Sequence, residues 1–122
     1  MTARFDGFFY EVALGQAVVN PLAATFKDIG ISDDEVRILC HWEERADDAP
    51  LDSWMRQLWE KRGGREPGRG GGFCPLVRLL EHDLQKLDSD IRSGRVKDPG
   101  VCIALAREAI RSGNDVFYHG WL

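Results

Sequence analysis

From residue 63 to 72 the chain reads Gly63-Gly64-Arg65-Glu66-Pro67-Gly68-Arg69-Gly70-Gly71-Gly72, with six glycines and one proline in ten residues. Glycine gives up the most backbone freedom on ordering and proline lacks an N–H donor, so neither a helix nor a strand is expected here. The stretch reads as a flexible loop dividing a chain that must still share one core. At 122 residues the chain fits one domain, 1–122, and its 43% hydrophobic content can fill an interior.

On both sides of the loop the apolar pattern points to helices. Phe8, Phe9, Val12, Ala13, Leu14, Ala17, Val18 and Val19 make the segment from about Asp6 to Asp28 apolar on most sides, as in a central helix. Pro21 breaks or kinks it, or starts a second short helix with Asn20 as cap. Ser32 and Glu35 have capping-box spacing, Ile31 and Val36 the spacing of a hydrophobic staple, and together they predict a helix running to Arg45 or Ala46. Trp54, Met55, Leu58 and Trp59 form one stripe of a helix from about Pro50 to Arg62.

Beyond the loop, Leu76, Leu80, Leu84, Leu87 and Ile91 recur at helical spacing and predict a helix from about Pro75 to Ser93. Asp98 and Pro99 open another, with Val101, Ile103, Leu105, Ala106, Ala109 and Ile110 on its apolar side. Both end alike, in Ile91-Arg92-Ser93-Gly94 and Ile110-Arg111-Ser112-Gly113, with a cation in the last turn and a glycine to stop. The expected fold is therefore all-α: a compact bundle of five to six helices, with the Gly/Arg loop at 63–72 and the aromatic tail Val116–Leu122 outside the plan.

Catalytic and metal signatures are missing from the sequence pattern. The histidines and cysteines show no CxxC, HxxxH or paired Glu-x-x-His spacing, so no metal or cofactor is expected. Cys40, Cys74 and Cys102 are odd in number and far apart, which reads as reduced thiols rather than a disulfide framework. No apolar run is long enough to span a bilayer, and the N-terminus lacks a secretory pattern; a soluble, cytoplasmic protein is expected.

Charge is segregated. Residues 1–55 carry a net −7 and residues 56–69 a net +3, within an overall −4. Acidic Glu43, Glu44, Asp47 and Asp48 lie near Trp54 and Trp59, and the tail supplies Phe117, Tyr118 and Trp121. Aromatic groups with charged neighbours are common at protein interfaces. These nine residues are the predicted contact set of a non-catalytic protein that binds another protein, as a small subunit, adaptor or inhibitor. The alternative is nucleic-acid binding through Arg62, Arg65 and Arg69, because arginine-glycine-glycine units pair with phosphates and stack on bases. A small enzyme with a pocket between helices is the third reading.

Overall fold

The computed structural model describes residues 4–13, 31–45, 49–63 and 76–121. Their elements run β1 (Arg4–Val12), a 3-10 turn (Asp33–Glu35), β2 (Val36–Arg45), α1 (Pro50–Lys61), β3 (Val77–Leu79), α2 (Glu81–Arg92), α3 (Cys102–Arg111) and β4 (Asp115–Trp121). The four strands form one antiparallel sheet in the order β2-β1-β4-β3. The three helices pack on one face of it, giving an α/β fold. The expected all-α bundle is thus wrong, and the reasons are local.

β1 is apolar on both sides because both sides are covered along part of its length. Phe9 faces the helices with Tyr118 and Val116. Val12, on the opposite face, joins Ile31, Leu76 and Phe117 in a second cluster. A strand buried on two faces reads as a continuous apolar run, which periodicity cannot distinguish from a buried helix. Residues 14–30, the remainder of that expected helix, lie outside the described residues.

At Ser32 the capping signal is real but short-lived. The Ser32 backbone N–H donates to Glu35 Oε2 at 3.0 Å, closing the 3-10 turn. Val36 then starts a strand, whose partners on β1 run from Val12 to Arg4. A bulge at Leu39 shifts the register between Phe9 and Tyr10, so Ile38 faces away from the helices while Leu39 and Cys40 both pack towards them. That irregularity hides the period-two alternation from a reader of the sequence.

The tail left outside the helical plan is β4, at the sheet's centre. It pairs with β1 on one side and β3 on the other. The predicted fourth helix is shortened at its start: Val77–Leu79 pairs with β4, and α2 begins at Glu81. Its leucine stripe is split accordingly. Leu76 joins the cluster around Val12, whereas Leu84 and Leu87 enter the core under the helices.

Local stop signals fared better. Gly94 and Gly113 take φ of 81° and 90°, and in both places the backbone closes the same way. Gly94 N–H donates to Ile91 O and Arg95 N–H to Asp90 O; Gly113 N–H donates to Ile110 O and Asn114 N–H to Ala109 O. These are Schellman motifs, which need only the helix and a glycine and are indifferent to tertiary context.

Cys40 on β2 and Cys102 at the start of α3 are joined by a disulfide, with Cα atoms 5.4 Å apart. This corrects the expectation of reduced thiols: the pair is 62 residues apart in sequence and becomes adjacent only through the fold.

Candidate interaction face

The face of the sheet opposite the helices changes character along β1. At the Val12 end it is closed: Val12 and Phe117 are buried, with Ile31 and Leu76 beside them. Towards the other end, rows of side chains come into solvent. Ile38 on β2 lies opposite Tyr10 on β1, which lies opposite Phe117 on β4. In the next row His41, Phe8 and His119 are opposed across the same three strands, and Asp6 faces Glu43 beyond.

Ile38 is 59% exposed, one of two large apolar side chains left so open among the described residues. Phe8 stacks on Tyr10 with ring centroids 5.9 Å apart and on His41 at 4.7 Å, nearly parallel in the second case at 14°. His41 Nε2 lies 2.8 Å from Asp6 Oδ1. His119 is half-buried, and burial pushes its pKa down to about 4, so its ring is neutral at pH 7. The result is an apolar, aromatic strip ending in two carboxylates and a histidine.

The nine residues expected to contact a partner are scattered by the fold. Glu43 is exposed on this face. Glu44 points the other way and is buried. Trp59, Phe117 and Tyr118 are buried, and the Tyr118 hydroxyl donates to Asp52 Oδ1 at 2.9 Å. Trp54 is half-buried and donates from Nε1 to Asp90 Oδ2 at 2.8 Å. Trp121 ends β4 on the row of Asp6, while Asp47 and Asp48 lie outside the described residues.

Of the three arginines considered for nucleic acid, Arg65 and Arg69 also lie outside the described residues. Arg62 is engaged within the fold. Its guanidinium donates to the Arg78 carbonyl and to Asp83, whose carboxylate also takes the Leu80 N–H at the start of α2. Arg62 therefore ties the end of α1 to β3 and α2.

A groove of about 620 Å³ runs between α1 and α2, lined by Trp54, Leu58, Lys61, His82, Lys86 and Asp90 among others. Its carboxylates are occupied. Asp90 takes Trp54 Nε1, Lys86 and Arg95, and the Trp54 bond is the main reason its pKa is held below the usual range. Asp83 is likewise engaged, by Arg62 and the Leu80 N–H, and Ser53, Lys61 and Lys86 also line the groove.

Asp6, Phe8, Tyr10, Ile38 and His41 were missed as site residues. The alternation of Asp6, Phe8, Tyr10 and Val12 was a signal for them, since period two puts them on one strand face. Comparison with known family models, curated proteins and solved structures returns no match for this chain.

Proposed function

We propose that the chain is a non-catalytic protein-binding module that takes a basic, partly apolar segment of another protein on the open rows of β1 and β2. The carrying observation is Ile38: a β-branched side chain 59% exposed beside Tyr10 and Phe8, where a strand would normally place a polar group. Charge selects the partner. Asp6 and Glu43 close one end of the strip, so a segment with an apolar side chain on Ile38 and a cation near the carboxylates would be complementary. Among the described residues β2 is also the edge strand, ten residues long, which offers backbone groups to an added strand.

The engagement of Arg62, Asp83 and Asp90 within the fold lends nothing to the nucleic-acid or enzyme readings. Among the described residues no helix is long and apolar enough to cross a membrane. The Cys40–Cys102 bond favours an oxidising compartment over the cytoplasm expected from the sequence.

The test is affinity capture from the source cells with the full chain, its Ile38→Lys variant and a Val101→Lys variant. Val101 is the other exposed large apolar residue; it precedes Cys102 at the start of α3, on the helix side of the sheet rather than on the strip. Burying Ile38 contributes about 1.5–3 kcal/mol, which corresponds to a loss of roughly ten- to a hundredfold in affinity. A protein held by the parent chain and by Val101→Lys, and lost from Ile38→Lys, is the expected outcome. Equal recovery by all three, or recovery abolished by nuclease, overturns the proposal.

A further inference from the structure

At the acidic end of the strip, three candidate ligand atoms of two types, carboxylate oxygen and imidazole nitrogen, converge from two strands. Asp6 and Glu43 stand directly opposite each other on β1 and β2, and His41 is two residues before Glu43 on the same face. One carboxylate oxygen from each acid and one ring nitrogen of His41 all lie within 4.8 Å of one another. A divalent cation between two opposed carboxylates would relieve their mutual repulsion. His41 is held in place by its parallel stack on Phe8 and by the 2.8 Å contact of Nε2 with Asp6.

We infer that Asp6, His41 and Glu43 form a binding site for a divalent transition-metal ion of the zinc class. One imidazole and two carboxylates suit such an ion, and three protein ligands leave a fourth position for water or a partner's group. Zinc–ligand distances of about 2.0–2.2 Å set neighbouring donor atoms roughly 3.4 Å apart in a tetrahedron. The 2.8 Å His41–Asp6 contact must open by about 0.6 Å, and a pair at the 4.8 Å limit must close by about 1.4 Å. Glu43 is exposed, and rotation about its side-chain bonds can supply most of that movement. The metal and a partner's cation would compete for the same two carboxylates, so the metal is titrated into the chain alone, where its binding does not rest on the protein-binding proposal.

The experiment is zinc chloride titrated into the oxidised full chain, read by calorimetry and by the histidine ring resonances in NMR. Expected are one equivalent bound, a shift of the His41 ring signals, and affinity at least about tenfold weaker in His41→Ala and in Glu43→Gln. A His82→Ala variant, altering an exposed histidine on α2, binds as the parent does. Absence of binding by the parent chain, zinc shifts confined to other residues, or undiminished affinity in both site variants overturns the inference. Glu43→Gln keeps the test decisive if His41→Ala perturbs the strand.

Discussion

The two faces of the one sheet are built for different ends. On the helix side, Phe9, Val116 and Tyr118 are buried against Leu51, Met55, Leu84 and Ala106, and the Tyr118 hydroxyl meets a carboxylate at Asp52. On the other side, burial falls across the sheet as well as along it, from Val12 and Phe117 to the exposed Ile38, His41 and Glu43 on the edge strand. Adjacent residues of one strand thus serve opposite purposes, since Phe8 and Phe9 differ only in the face they occupy. A two-residue period lets β1 stabilise the fold and present a surface at once.

That contrast is most sharply tested at the two phenylalanines. Phe9→Ala should cost about 3–5 kcal/mol in urea unfolding, because the ring is fully buried and its removal leaves a cavity. Phe8→Ala should cost about 1 kcal/mol, losing partial burial and its stacks on Tyr10 and His41. Similar losses at both positions would mean that the faces are not distinct.

The disulfide belongs to the helix side, tying β2 to α3. Replacing Cys40 and Cys102 together by serine should lower stability by about 2–4 kcal/mol, because the closed loop is long. A stability equal to that of the parent would show that the β2–α3 contact holds without the bond.

His119 tests the outer face through pH. Its pKa is near 4 in the folded chain and near 6.5 when unfolded, so the unfolded state takes up the proton first. Its contribution is intact above about pH 6.5, is lost as the pH falls towards 4, and is constant below that. The full window is worth up to about 3 kcal/mol, and His119→Gln should flatten the slope of stability between those limits. A slope that survives the substitution would place the titration elsewhere.

The sequence disclosed what is decided locally. The helix of Trp54, Met55 and Trp59 and both Gly-terminated stops are present because i to i+4 spacing and a left-handed glycine suffice to specify them. Strands depend on partners remote in sequence: β1 meets Asp115–Trp121, more than a hundred residues away. The same reason hid the site. Asp6 and His41 are 35 residues apart and become neighbours only through a register that includes a bulge. Buried aromatics such as Trp59 and Tyr118 looked like contact residues because composition alone does not tell which face is covered.

Gly7 refines the comparison on the helix side. An added Cβ there would lie 2.7 Å from the Tyr118 hydroxyl oxygen and 3.0 Å from its ring, and that ring is buried and tied to Asp52. Gly7→Ala should therefore cost about 1–3 kcal/mol through overpacking.

At Ile38 the opposite holds, and the smallest effect carries the most information about function. Ile38→Thr keeps a β-branched side chain on the edge strand while removing apolar surface that the fold barely uses. Its effect on urea unfolding should stay within about 0.5 kcal/mol. A larger loss would mean that Ile38 stabilises the sheet itself, so its exposure would no longer point to a partner. A null effect would leave a large apolar side chain with no role in stability, in the row of Tyr10 and next to that of Phe8 and His41, open to be covered by a partner's apolar group.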